Sequence, residues 1–554
     1  MIRVWRSAIL LIAIAGSIAL LLYRLRPDST PVSSLVSLPR ALHSKYPGFN
    51  SYNPRYMWWH QDNSLQVLHK KEDSWRQLFQ LKQVAANWAE PVSIAHNSEN
   101  FYIAIRRETN LQLLKGVSHG SMDENRPTGR KMTWKEMSHV PDWFHKAEFP
   151  LLGFLNNRLL VFAIVSDGES SSLRMSMQVA GGFESVTLDK EVCECCRLSA
   201  SYLSDGTVVL SYRDKLADEN RPIKVLKIAS SSEITELPLD SPPWRTSACP
   251  VNGPSLSVNS QDEIALTWFT RLGEESQAQP TVMYSVSRPK LEQRFDPPLV
   301  LDTGSHVIGR TSTTTIEDDF ITFWYSSRPG SKNGQLNGKL IERDEQEQSF
   351  ATRVISGIDP GLDSGFPISI ATGQDRIQLF WTANKRKQVL GKEFNRAFFA
   401  QEKTVKKSES IPSDATYSEL LTQEFTPING LSTETSVPIL DPDKPFTLIS
   451  FWATWCGPCI QEIPYYNGFA QKFPKIALRT ILLDDPPALA EFLERYSVEF
   501  DVFKDGAEEL GTFYQINSLP TAILFDRKGK IYWRHSGNDT RALSGLINKT
   551  AKLP

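Results

Sequence analysis

The sequence predicts a multi-domain chain in three parts: an apolar N-terminal helix, an all-β propeller of six blades, and a small C-terminal α/β domain. Three observations carry that reading. A charge-free apolar run, Ala8 to Tyr23, lies between Arg3 and Arg6 on one side and Arg24 and Arg26 on the other. Short β-branched and aromatic runs recur at a nearly constant interval through the middle of the chain. Near the C-terminus a strand-like run, Phe446 to Trp452, passes through Ala453-Thr454-Trp455-Cys456-Gly457-Pro458-Cys459 into a helix-like stretch, Ile460 to Phe473.

The N-terminal run is close to the shortest that can span a bilayer, and Val4 and Trp5 extend it. A cleaved signal peptide would end at Ala13-Ile14-Ala15, leaving a very short apolar region before the cut and an apolar mature end, Gly16 to Leu22. A retained transmembrane helix over residues 1–26 is therefore the expectation, with a Ser- and Pro-rich tether over 27–50. Arginines on both flanks leave orientation open on charge alone.

From 51 to 400 the apolar runs end at residues 105, 163, 212, 268, 324 and 381, giving steps of 58, 49, 56, 56 and 57. A period near 55 with about four short strands each is the signature of a propeller. Six runs predict six blades. Residues 401–421, with Lys403, Lys406, Lys407 and Pro412, break the β pattern and read as a linker to the last domain, 422–554.

The 61 basic and 63 acidic residues nearly cancel, so nothing in the charge favours a nucleic-acid partner. Fourteen Trp and 28 Phe supply ample core material for a chain of 554 residues. Six cysteines are few for that length, and they cluster as Cys193-Glu194-Cys195-Cys196, Cys249 and the Cys456/Cys459 pair. That distribution suggests sites rather than a disulfide framework.

Cys456 stands where a strand hands over to a helix N-terminus, where the helix dipole and unpaired N–H groups favour a thiolate. Cys459 follows one turn later, within reach of a mixed disulfide at Cys456. The pair reads as a Cys456–Cys459 dithiol/disulfide exchange site, Cys456 the exposed nucleophile and Cys459 the shielded resolving thiol. A structural disulfide or metal half-site is the bland alternative, and the strand–turn–helix context weighs against it.

Further runs follow in order: a strand, Ile476 to Leu483, a helix, Pro487 to Tyr496, then Ser518-Leu519-Pro520 directly before a strand, Thr521 to Phe525. The stretch from about Thr422 to Pro554 thus resembles the thioredoxin fold, in which a cis-proline faces the CxxC. Pro520 matches it, 64 positions after Cys456. The resemblance also implies that Trp455, Gly457, Pro458 and Leu519 contact the substrate. Ordinary thioredoxins carry a buried acid in the strand before the motif, whereas Ile449-Ser450-Phe451-Trp452 offers only Ser450. Instead Glu462 follows Cys459, with Pro464 beyond it. This Cys-x-x-Glu-x-Pro continuation resembles the TlpA/ResA-type thioredoxins, membrane-tethered bacterial proteins working outside the cytoplasmic membrane. In that family the glutamate tunes the cysteines or relays protons; a solvated first-turn residue is the bland reading of Glu462.

The resemblance implies a single-pass protein of the bacterial cytoplasmic membrane with its soluble domains in the periplasm. It implies a thiol–disulfide oxidoreductase that reduces disulfides in partner proteins, of the cytochrome c maturation or copper-site assembly type. No diffusible cofactor is required, because the cysteine pair carries both electrons. In the alternative reading the propeller is a metal- or protein-binding module that the C-terminal domain maintains.

Aligned on the repeated runs, Cys196 and Cys249 fall at matching points of neighbouring blades, at the start of the inner strand. Three readings stay open: disulfides pinning adjacent blades, a copper or zinc site on Cys193, Cys195, Cys196 and Cys249, or a redox-active disulfide served by the C-terminal domain. Cys249 is expected to pair with one member of the cluster. The segments around these cysteines, including Cys249-Pro250-Val251-Asn252-Gly253-Pro254, resemble a group of sialidase-like bacterial proteins. No arginine triad or nucleophile pair for glycan hydrolysis can be assembled, and Arg213 and Arg310 read as structural hydrogen-bond donors.

Overall fold

The computed structural model of the chain describes residues 33–550 apart from several intervals, the longest being 119–131, 343–351 and 401–423. The apolar run Ala8 to Tyr23 and the linker 401–421 lie outside the described residues. Among those described, no helix is long and apolar enough to cross a membrane.

The β region forms seven four-stranded antiparallel sheets, not six. The first strands of successive blades neighbour one another in a ring, which closes where Ser44–Phe49 meets Ile368–Ala371. The second strands are the repeated runs. Val208–Arg213 and Asp319–Ser327 are buried along their whole length, because each is covered by the blades on either side. A strand buried on both faces must be apolar throughout, which is why this one strand per blade announces itself. Outer strands such as Gly182–Asp189 and Leu299–Thr303 are largely solvated and carry no such pattern.

The missed blade is the first. Its second strand, Tyr56–Gln61, reads Tyr-Met-Trp-Trp-His-Gln and is as buried as its counterparts. It is built from wide aromatics rather than β-branched residues, and it precedes the next such run by a shorter interval than the others. The expected tether also proves to be structural. Ser44–Phe49 is the inner strand of the first blade, and Ser33–Leu35 pairs with Gln388–Asn395 to complete the last. Closure therefore joins the two ends of the β region. Val36 and Leu38 pack against Met57, Trp59 and Trp75 of the first blade and Ile370, Phe380 and Val389 of the last.

The C-terminal domain is a five-stranded sheet ordered Val502–Lys504, Ile476–Leu482, Phe446–Trp452, Thr521–Asp526, Ile531–Ser536. The first three strands are parallel and the last two antiparallel. Alternate residues of the central strand serve opposite faces. Leu448 packs with Tyr466, Phe469, Leu543 and Ile547 from the helices Gly457–Asn467, Phe469–Lys472 and Thr540–Thr550. Ile449 and Phe451 pack with Leu489 and Phe492 of the helix Pro486–Arg495. That second core does not stop at the domain edge: it runs on into Cys193, Cys195, Cys196, Cys249 and Val251 of the propeller.

The ring closure can be tested through its apolar seal. Because Val36 and Leu38 are half-buried, the double change Val36→Ser/Leu38→Ser is expected to cost about 2 kcal/mol, read as a lowered urea midpoint of the β-region transition.

Candidate active site

The central strand ends at Trp452, and the chain turns through Ala453, Thr454 and Trp455 to reach Cys456, the N-cap of the helix Gly457–Asn467. Pro458 near the helix start costs no hydrogen bond there. Cys456 and Cys459 are joined in a disulfide with Cα atoms 5.2 Å apart, and the Cys459 N–H points at the Cys456 sulfur from 3.2 Å. The Leu519–Pro520 peptide is cis. The ladder between the central strand and Thr521–Asp526 ends at Phe451 and Thr521, so Pro520 stands one step further, beside the turn that carries Cys456.

Glu462 does not behave as a solvated first-turn residue. It is only 2 % exposed, and burial pushes its carboxyl up to about 8, the Tyr466 hydroxyl pulling the other way. Ser450, the strand residue standing where ordinary thioredoxins have an acid, is likewise buried. A buried acid therefore sits on the helix, three residues beyond Cys459, while the domain's equally buried Asp505 lies on a loop and accepts from the Gly511 N–H.

Cys456 was expected to be exposed and is not: its exposure is 0 %, against 4 % for Cys459. The propeller lies over it. Cys249 and Leu519 form an antiparallel bridge, the Cys249 N–H donating to the Leu519 carbonyl at 2.6 Å and the Leu519 N–H donating back at 3.2 Å. Beside this bridge, a Cβ built on Gly457 would lie 3.8 Å from the Glu194 side chain. On its other flank Gly537, whose N–H donates to the Pro520 carbonyl at 2.9 Å, has no room for a Cβ against Ser247.

The propeller cysteines lie in the loops entering two successive inner strands, Ser199–Tyr202 and Ser255–Val258, rather than in the strands themselves. Cys249 is disulfide-bonded to Cys195, with Cα atoms 6.0 Å apart. Cys193 and Cys196 remain thiols, their sulfurs 2.9 Å apart. The sulfurs of Cys193, Cys195 and Cys196 all lie within 4.8 Å of one another, a spacing compatible with a shared soft metal.

Two buried guanidiniums border the thiols. Arg213 donates to the carbonyls of Asn252, Arg221 and Phe269 at 2.6–3.2 Å. Arg221 donates to the Thr246 carbonyl and to Glu219, and lies 3.5 Å from Glu194. Burial raises the Cys193 thiol well above its ordinary value, and its bond with Cys196 adds to the shift. For Cys196, burial is outweighed by Cys193, Arg213, the Asn252 backbone and Arg221, so its pKa is lowered. Arg310 donates its N–H to the Asn252 side chain at 2.6 Å. The roles of Arg221, Glu194 and Ser247 at this junction were not read from the sequence. Glu194, lying inside the cysteine cluster, was the one with a signal.

The C-terminal sheet, with its disulfide at a helix N-terminus beside Pro520, defines a thioredoxin-type domain appended to a propeller. Residues 429–534 match the AhpC/TSA family. Over 106 residues the chain is 35 % identical to the thiol-disulfide oxidoreductase ResA of Bacillus cereus, covering 18 % of this chain and 61 % of that protein. It is 26 % identical over 91 residues to the sporulation thiol-disulfide oxidoreductase A of Bacillus subtilis, covering 15 % of this chain and 55 % of the relative. The chain thus spans about three fifths of the length of the curated relatives it matches. Among solved structures, StoA from Bacillus subtilis is similar at 24 % identity with a TM-score of 0.20, covering 23 % of this chain and 98 % of that one.

Glu462 gives a testable pH dependence. The unfolded chain releases this proton near the ordinary 4.5, while the folded domain keeps it to about 8, so stability falls as pH rises between those values. Glu462→Gln removes the penalty. The variant is expected to gain on the parent by roughly 1 kcal/mol per pH unit across that window, measured by denaturant titration at pH 5 and 8.

Proposed function

We propose that the protein is a thiol–disulfide oxidoreductase of the bacterial periplasm, held to the cytoplasmic membrane by its N-terminal apolar run and reducing disulfides in partner proteins. The observation that carries the reading is the Cys456–Cys459 disulfide at a helix N-terminus beside Pro520 and above the buried Glu462. The match of residues 429–534 to the AhpC/TSA family and the similarity over 106 residues to the thiol-disulfide oxidoreductase ResA support it.

The cycle follows from the placement of the two sulfurs. In the dithiol form the N-cap position stabilises a Cys456 thiolate through the helix dipole. That thiolate attacks a target disulfide, one target sulfur leaves as thiolate, and Cys459 then attacks Cys456 to release the second. Glu462, neutral at pH 7 in the oxidised form, is positioned to give or take the proton of the Cys459 thiol. Trp455, Gly457, Pro458 and Leu519 form the rim against which a target lies, with Pro520 shaping it. Apocytochrome c and copper-site proteins are the target classes that the sequence resemblance suggests.

A second reading is favoured by the three clustered sulfurs. With the Cys195–Cys249 bond reduced, Cys193, Cys195 and Cys196 offer a thiolate set suited to copper(I) or zinc, and the C-terminal domain would keep it reduced. Metal bound to the reduced Cys456→Ser/Cys459→Ser protein at one equivalent would support this reading.

The activity test is turbidimetric reduction of insulin by dithiothreitol. Cys456→Ser is expected to lower the protein-dependent rate at least about a hundredfold, while Cys459→Ser accumulates mixed disulfides with insulin. A rate unchanged by Cys456→Ser would exclude the proposal.

A further inference from the structure

The propeller meets the C-terminal domain at Leu519, directly before Pro520, and it does so with a disulfide-bonded residue, Cys249. Cys249 is strand-paired through both its N–H and its carbonyl to Leu519, directly before Pro520. Its partner Cys195 is preceded by Glu194, which lies against Gly457, the residue after Cys456. Ser247, two residues before Cys249, fills the space over Gly537, which is itself bonded to Pro520. Both halves of the propeller disulfide are thereby registered on both sides of the Cys456 turn. Main-chain pairing at a sheet edge is a general way for one polypeptide to present an extended segment to another.

We infer that the Cys195–Cys249 disulfide is a built-in substrate of the Cys456/Cys459 pair, so that electrons pass through the C-terminal domain into the propeller of the same chain. The inference rests on the oxidoreductase reading above and assigns that site its substrate. The Cys456 thiolate attacks the Cys249 sulfur, and the Cys195–Cys249 bond breaks as Cys456–Cys249 forms. Cys195 leaves as a thiolate and takes up a proton. Cys459, giving up its own proton, then attacks Cys456 and expels Cys249 as the second thiol. Two electrons have moved from Cys456/Cys459 to Cys195/Cys249, leaving the Cys456–Cys459 bond seen in the structure. A dithiol donor protein restores the Cys456/Cys459 thiols for the next turn.

Tethering accounts for the advantage over a diffusing target, since attack within one chain proceeds at a high effective concentration. It also explains the burial of Cys456, which would otherwise be a defect in an exchange enzyme. The docked state must open to admit the donor. Burial lowers the pKa of Arg534 in the C-terminal domain to about 10, and the charge of Arg271 of the propeller adds to that shift.

The test uses the full chain carrying Cys459→Ala, which cannot resolve a mixed disulfide. After incubation, acid quenching and alkylation, non-reducing peptide mass spectrometry should find Cys456 joined to Cys249 and Cys195 alkylated. An intact Cys195–Cys249 bond beside an alkylated Cys456 would overturn the inference, provided that Cys456 still forms a mixed disulfide with hydroxyethyl disulfide. Failure with that small probe would instead remove the oxidoreductase reading, and the relay with it. Ser247→Trp, outside the exchange machinery, forces the docked faces apart. In the Cys459→Ala background it should slow Cys456–Cys249 formation at least about tenfold and speed alkylation of Cys456. With Cys459 intact, the same change should leave insulin reduction in place. Cross-linking undiminished by Ser247→Trp would overturn the docked geometry as its cause.

Discussion

The pairing of Cys249 with Leu519 is the interaction on which the arrangement of this protein depends. Two backbone hydrogen bonds contribute only about 1–3 kcal/mol between them, so they do not hold the domains together unaided. They set register, and the apolar core running from Ile449 and Phe451 through Leu519 into Cys249 and Val251 supplies the adhesion. Everything distinctive about the site follows from that register: the cover over Cys456, the seat of Glu194 beside Gly457, and the fit of Ser247 over Gly537. A shift of one residue along the ladder would turn the opposite face of the propeller loop toward the cysteine pair.

The electrostatics on the two sides of the junction are opposed. On the C-terminal side, Glu462 is buried with no cation among the causes of its shift, and desolvation keeps it protonated near neutral pH. On the propeller side, Arg213 and Arg221 are buried beside Cys193 and Cys196; Arg221 is already paired with Glu219 and Glu194, and a thiolate is the natural counter-charge for Arg213, which donates to carbonyl oxygens. Negative charge is thus disfavoured at Glu462 and favoured at Cys196, while burial disfavours it at Cys193. A neutral acid close to a thiol pair is suited to moving protons, whereas a cation close to a thiol is suited to holding it ionised.

The fold was legible where burial imposes a composition. Second strands of the blades are enclosed on both faces, so Phe101-Tyr102-Ile103-Ala104-Ile105 and its counterparts stand out as apolar runs at a regular interval. The strand Phe446–Trp452 and the helix that begins after Cys456 were legible for the same reason. The blade count was not, because Tyr56–Gln61 meets the same burial with Trp58 and Trp59 instead of β-branched residues. The closing strand Ser33–Leu35 was not legible either: three residues at a sheet edge need no apolar pattern, and their partner lies more than 350 residues away.

By itself the sequence determined the chemistry: a cysteine pair at a strand-to-helix junction, a proline matching the one that faces such pairs, and four further cysteines set near successive inner strands. These are local facts, fixed by spacing and by which residue types can serve thiol exchange. Only the tertiary structure decided that Cys195 rather than Cys193 or Cys196 bonds to Cys249, that Glu462 is buried, and that the two cysteine sites share one interface. Those outcomes depend on how two loops curl at a rim and on which sheet edge they reach. No periodicity records that, because contacts between distant segments depend on shape rather than on the pattern of any one of them.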